Sequence, residues 1–289
     1  MAGEQIITKH DMNNKEDDES EDLILNAVSE RTDNALTLIN SCNLSTLNTL
    51  RQPLSNRSLI HVCIGNGWYQ AVVQLLKRSV NVNVIDDEQY TPLMLALNLS
   101  ETDIFKVLLA SNDLDINYQR MNDGFTVLHL LMINDRDQYF KILLQQTKHS
   151  LNLNLTTHLK KNFLHVMADF KSKKCLNIIK NYSFDDNLWK EKDHQGYTPL
   201  FIALIRWPYS SFTRYLLHFL LNRSSISLHI QDNHGKTVLH WAIFNHYLVK
   251  LIIDNQWLNL SHIKDKFGKT PFDYANDQQL IKSVEYLRL

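Results

Sequence analysis

The sequence predicts an all-α repeat solenoid, and three recurrent features predict it: a six-residue phrase, a turn signature before it and a Leu pair after it. The phrase reads Ser58-Leu-Ile-His-Val-Cys63, Thr91-Pro-Leu-Met-Leu-Ala96, Thr126-Val-Leu-His-Leu-Leu131 and Asn162-Phe-Leu-His-Val-Met167. It recurs as Thr198-Pro-Leu-Phe-Ile-Ala203, Thr237-Val-Leu-His-Trp-Ala242 and Thr270-Pro-Phe-Asp-Tyr-Ala275. The starts at 58, 91, 126, 162, 198, 237 and 270 are spaced by 33, 35, 36, 36, 39 and 33 residues. Asp and Gly lead in at Asp193-His-Gln-Gly196, Asp232-Asn-His-Gly235 and Asp265-Lys-Phe-Gly268, with partial matches at Asp86 and Gly124. Leu75-Leu76, Leu108-Leu109 and Leu143-Leu144 follow, and Asn81-Val-Asn83, Asp115-Ile-Asn117 and Asn152-Leu-Asn154 close the unit.

Each element has a physical reason, taken in chain order. Gly supplies the positive φ of a tight turn without a Cβ penalty. Thr stands at the N-cap, where its oxygen accepts from the orphan amides of the first helical turn. Pro follows at N1, where a missing N–H costs nothing. Leu and Ala then face the core, Ala being small enough for close helix packing. The Leu pair falls on the buried stripe of a second helix. One such unit cannot cover its own apolar face, so stacked neighbours must do so.

These residues resemble the ankyrin repeat, whose period is about 33 residues and whose signature is T-P-L-H-x-A. The resemblance covers residues 57–289. It implies an ankyrin-repeat solenoid of about seven helix-pair units with short β-hairpin turns, preceded by N-terminal capping helices over 23–56. Solenoid ends need such atypical units because their outer face meets water. Residues 1–22 differ: Asp11, Glu16, Asp17, Asp18, Glu19, Glu21 and Asp22 are opposed only by Lys15 over the acidic stretch 11–22. So acidic and apolar-poor a segment is expected to be disordered. Ser20 within it is either an acidic-directed phosphorylation site or part of a plain solvated tail.

Three units depart from the pattern. The one at Asn162 has Lys160 in place of the turn Gly and lacks Thr-Pro, which predicts a weak hairpin and a weak cap. The one at Thr198 is lengthened by Arg206-Trp-Pro-Tyr-Ser-Ser211, and Pro208 cannot continue a helix. The one at Ser58 has Ser-Leu for Thr-Pro and no Asp-Gly lead. Residues 157–211 are therefore expected to open most readily, and Leu144, in mid-array, is expected to be core.

Composition and motifs exclude several function classes. Hydrophobic residues make up 44% and charged residues 21%, close to the globular average, and the formal net charge is −1. No global field calls for nucleic acid or an anionic membrane. No apolar run is long enough to span a bilayer, and no apolar leader is expected at the N-terminus. Cys42, Cys63 and Cys175 form no CxxC pair, which fits a reducing intracellular compartment, cytoplasm or nucleus. Of the 13 histidines, His61, His129, His165 and His240 occupy the motif position, where the resemblance implies hydrogen bonds between repeats. His229, His234, His246 and His262 have no Cys or carboxylate completing a ligand set, so no metal is expected. Phosphate-binding glycine loops and nucleophile elbows do not occur, so no cofactor and no enzymatic activity are expected.

The resemblance also locates a partner surface, with hairpin tips as fingers and first helices as palm. The residue before each cap lies along the finger row, which places Tyr90, Phe125, Lys161, Tyr197, Lys236 and Lys269 there. Phe170, Arg206 and Phe244 fall on palm positions, with Trp207 beside them. Aromatic rings with cations nearby are typical interface anchors. The competing reading is that the finger rings pack on neighbouring hairpins and are structural. The expected function is a non-enzymatic adaptor or scaffold, monomeric on its own, holding a protein partner along the concave face. An inhibitor masking a transcription factor, a pathogen-encoded effector and an enzyme are the alternatives.

Overall fold

The computed structural model describes residues 22–146, 148–182, 184–223, 228–255 and 257–288. Apart from Asp22, the acidic segment expected to be disordered lies outside the described residues, and so does Ser20. The chain forms two compact units, one running to Asn122 and including Ile142–Ser150, the other comprising Asp123–Lys141 and Leu151–Leu289.

The first unit opens with α1 (22–30), α2 (Ala35–Ser41) and α3 (Leu44–Thr49). Two helix pairs follow, α4 (Leu59–Gly65) with α5 (Tyr69–Lys77) and α6 (Pro92–Asn98) with α7 (Thr102–Leu109). The second unit starts at α8 (Val127–Ile133), and α9 (Asp137–Gln145) contributes residues to both units. It continues with α10 (Phe163–Phe170) and α11 (Lys173–Ile179), then α12 (Pro199–Arg206) and α13 (Ser211–Leu221). It ends with α14 (Val238–Ala242) and α15 (His246–Asp254), then α16 (Pro271–Asp277) and α17 (Ile281–Leu287). A first helix thus begins one residue after the start of every phrase. Among the described residues there is no β-strand, only an isolated bridge between Arg51 and Ser58. The fold is the all-α repeat solenoid class that the phrase predicts.

The two helices of a pair are buried differently. First helices other than α16 are buried over most of their length: Leu59 to Ile64 of α4 and Phe163 to Ala168 of α10 are all buried, whereas α16 buries only Pro271 and Ala275. Second helices bury one stripe, such as Ala71, Val72 and Leu75 of α5. The Leu pair is unequal on that stripe in α5 and α9, whereas in α7 both Leu108 and Leu109 are buried. Leu75, Leu108 and Leu143 are fully buried, whereas Leu76 and Leu144 are only half-buried. The core position in α9 is therefore Leu143, not Leu144 as expected.

A left-handed residue stands two positions before every cap. It is Gly124, Gly196, Gly235 or Gly268 in four units and Asn56, Gln89 or Lys160 in the others, with φ between 50° and 80°. At Gly196 a Cβ would sit 2.6 Å from the backbone nitrogen of Asn233, so there the neighbouring hairpin demands glycine as well. The weak cap expected at Asn162 is corrected by the structure. Its side-chain oxygen accepts from Leu164 N–H at 3.1 Å and His165 N–H at 3.2 Å. Asn is as good an N-cap as Thr, so the loss of Thr-Pro leaves the helix start satisfied.

Candidate interaction surface

The motif histidines are committed to the fold. His61, His129, His165 and His240 are at most 3% exposed. In each, Nε2 faces a finger-row carbonyl of the next hairpin: Tyr90 at 3.0 Å, Lys161 at 3.1 Å, Tyr197 at 3.0 Å and Lys269 at 3.2 Å. A carbonyl only accepts, so Nε2 carries the proton and Nδ1 is left to accept. Nδ1 takes the N–H of the cap residue at Thr126, Asn162 and Thr237. Burial is the main cause that lowers His61, His129 and His165 to a pKa of about 4, and it lowers His240 as well. These imidazoles are neutral stitches at pH 7.

The hairpins are joined a second time through backbone alone. Within the first unit Asp87 N–H donates to Ser55 C=O at 3.1 Å. Within the second, His158 donates to Asp123, His194 to Leu159, Asn233 to Gln195 and Lys266 to His234, at 2.9 to 3.3 Å.

On this scaffold the predicted finger row is only half-buried, except for Lys269, which is exposed. Tyr90 lies under the Arg120 guanidinium, 5.0 Å from ring centroid to Cζ. Phe125 stacks on His129 at 5.6 Å. Tyr197 meets Phe201 and, edge-on, Trp241, both at 6.2 Å. Lys236 stands 4.8 Å from the Trp241 ring and 4.4 Å from the Tyr274 ring. Lys161 and Lys269 each turn to a carboxylate eight residues on, Asp169 at 2.7 Å and Asp277 at 2.6 Å.

The palm positions behave differently. Phe170 and Phe244 leave 49% and 43% of their surface to solvent, and Arg206 is exposed although its Nε meets Asp169 at 2.6 Å. Trp207 is half-buried: its indole N–H donates to the Asp169 carbonyl at 3.0 Å, and Lys171 Nζ sits 3.4 Å from its ring centroid. Lys161, Asp169, Arg206 and Trp207 therefore form one cluster, with Asp169 shared between two cations.

Trp241 and Tyr274 escape a reading of the finger row. Their signal was the fifth position of the phrase, aromatic in the last two units but Val62, Leu95, Leu130, Val166 and Ile202 elsewhere. Trp241 donates to Asp232 at 3.1 Å and Tyr274 to Asp265 at 2.7 Å. That bond first, and burial second, push the Tyr274 hydroxyl up to about 12. The buried thiols are inert, Cys63 being raised to about 12 by burial. Among the described residues no group of His, Cys, Asp and Glu could hold a metal ion, and no helix is long and apolar enough to cross a membrane.

Comparison with known proteins places this geometry. A family model of ankyrin repeats, three copies long, matches residues 11–120 and 60–154. A putative ankyrin repeat protein of Acanthamoeba polyphaga mimivirus is 24% identical over 209 residues, covering 70% of this chain and 26% of that protein. A probable serine/threonine-protein kinase of Dictyostelium discoideum is 26% identical over 194 residues, covering 66% of this chain and 18% of the kinase. The chain thus spans about a quarter or less of the length of these relatives. Among solved structures, the ankyrin repeat domain of Bcl-3, a unique member of the IkappaB protein family, superposes with a TM-score of 0.67 at 19% identity. That likeness covers 80% of this chain and 97% of the Bcl-3 domain.

Proposed function

The chain belongs to the ankyrin-repeat family, and from that premise we propose that it is a non-enzymatic, intracellular interaction module that holds a protein partner. The supporting observation is the contrast between committed and uncommitted residues. The cap, His, Leu and Ala positions of the first six phrases are buried in the fold, whereas Phe170 and Phe244, seven or eight residues past a cap, spend aromatic area on solvent. The half-buried finger residues, Tyr90, Phe125, Lys161, Tyr197 and Lys236, together with the exposed Lys269, would frame the same contact. Arg206 and Trp207 would contribute to it beside the palm. Regulation of the partner by masking it is a narrower form of this reading, for which the acidic residues ahead of the repeats are the sequence feature.

Affinity capture with the intact chain beside the Phe170→Ala/Phe244→Ala variant tests the reading. Both side chains are exposed, so the variant should keep its circular dichroism and melting temperature. It should lose most of its captured protein, since a buried aromatic anchor is worth about 2 kcal/mol or more at an interface. Unchanged capture by a native-like variant would remove the palm from the proposal.

A further inference from the structure

The inter-helix turns of the second unit carry a surface that the repeat itself does not require. These turns lie at the far end of the first helices from the hairpins, and they are bonded to one another in series. Trp207 donates to the carbonyl of Asp169, Tyr209 hydroxyl to that of Phe244 at 2.9 Å and Asn245 side chain to that of Pro208 at 2.7 Å. Ser283 hydroxyl closes the series on Ile243 at 2.6 Å. The insertion around Pro208 is thus pinned to the turn before it and the turn after it.

At or next to each of the last four of these turns a large apolar side chain faces solvent: Phe170, Tyr209 at 73%, Phe244 and Ile281 at 72%. Phe244 and Ile281 line one shallow cleft of about 290 Å³ with His246 and Lys282. Apolar area of this kind, repeated on adjacent turns, marks an interaction surface more often than chance exposure. Cations outnumber carboxylates beside the row. Lys171, Lys173, Arg214 and Lys282 are exposed, Arg206 and Lys161 share Asp169, Asp277 pairs with Lys269, and Glu285 is an exposed carboxylate one turn of α17 beyond Ile281.

We propose that this row of turns docks an acidic protein segment whose apolar side chains seat on Phe170, Tyr209, Phe244 and Ile281 while its carboxylates meet the bordering cations. This rests on the reading that the chain binds protein, and adds where and to what chemistry. A nucleic-acid strand fits less well. Trp207, the largest ring beside the row, is already covered by Lys171 and offers no open face on which a base could stack.

The test is selection from a random dodecapeptide display library on the immobilised full chain, followed by titration of the synthesised consensus peptide. The expected consensus places Asp or Glu beside Leu, Phe, Trp or Tyr. Its affinity should fall about tenfold or more in Tyr209→Ala/Ile281→Ala, both exposed, and by more than in Tyr209→Phe, which removes only the hydroxyl bond to the Phe244 carbonyl. It should also fall with added salt and in Lys173→Glu/Lys282→Glu. Enrichment of basic or uncharged peptides, no enrichment at all, or full competition by a twelve-residue oligothymidylate would overturn the proposal. So would a consensus whose binding ignores both variants. Capture that depends on Phe170 and Phe244, together with failure of the acidic consensus, would leave the interaction module standing and remove this inference alone.

Discussion

Where the helix pair at Asn162 meets the pair at Thr198, the contacts of the motif position are polar; where the pair at Thr198 meets the pair at Thr237, they are aromatic. At the first joint His165 donates to Tyr197 and lies 3.1 Å from the Glu191 carbonyl, and the Asn162 amide reaches Leu188 at 2.9 Å and Glu191 at 2.6 Å. At the second joint the motif His is replaced by Phe201, fully buried, and Thr198 makes no side-chain cap. Rings fill in, with Tyr197 between Phe201 and Trp241. The sequence departs from the repeat pattern at both places, and each departure is matched by a different contact. A stitch is directional and leaves unpaired groups when broken; a ring contact is neither.

The largest effect that would sharpen the comparison is acidification. His61, His129 and His165 have folded pKa values near 4, below the ordinary 6.5. The stability they contribute is therefore complete above pH 6.5 and lost as pH falls through 4. At about 1.4 kcal/mol per unit, the loss is on the order of 3 kcal/mol for each histidine. Hydrogen exchange at pH 7 and pH 4.5 should show opening at α8 and α10 growing steeply while α12 changes least. Equal changes would mean that the Phe201 joint is as pH-sensitive as the others.

Next in size is Asn162→Ala, which removes the cap and leaves buried carbonyl and amide groups unpaired. A loss of about 2–3 kcal/mol in urea titration is expected. A loss below ~0.5 kcal/mol would restore the weak-cap reading. Lys160→Gly should act in the opposite direction, stabilising by about 1 kcal/mol, because Lys160 holds φ at 57° where glycine is free. The smallest effect is expected at Thr198→Val, within about 0.5 kcal/mol of zero, since no cap bond is lost. Thr126→Ala, where the hydroxyl does cap His129 N–H, should cost about 1 kcal/mol and serves as the control.

The helices were legible because the cap-to-Ala phrase encodes a helix start by local chemistry, and it does so seven times. Compensation was less legible. Asn162 stands outside the Thr-Pro pattern, yet its amide satisfies the same orphan N–H groups and adds two donors that Thr lacks. Pro208 breaks a helix as expected, but only the fold shows the resulting loop bonded on both sides. The Leu pair in α9 could be assigned to a stripe but not ordered within it, because one helical step separates a buried side chain from a half-buried one. For the candidate surface, register located Phe170, Arg206 and Phe244. Tyr209 and Ile281 were not found, because both stand farther past their caps, Thr198 and Thr270, than the palm positions do.

The hairpin ladder has a consequence for how such a surface can change. Its rungs are amide to carbonyl, from His158 to Asp123 through Lys266 to His234, and they consult no side chain. Lys266 can thus be exchanged for another residue without unfastening the hairpin that carries it, whereas Asn233 adds a side-chain bond to the His194 carbonyl at 3.0 Å and His194 Nδ1 lies 3.3 Å from the Leu159 carbonyl. Heredity can redraft the outermost contacts one substitution at a time, and the scaffold beneath will scarcely register the edit.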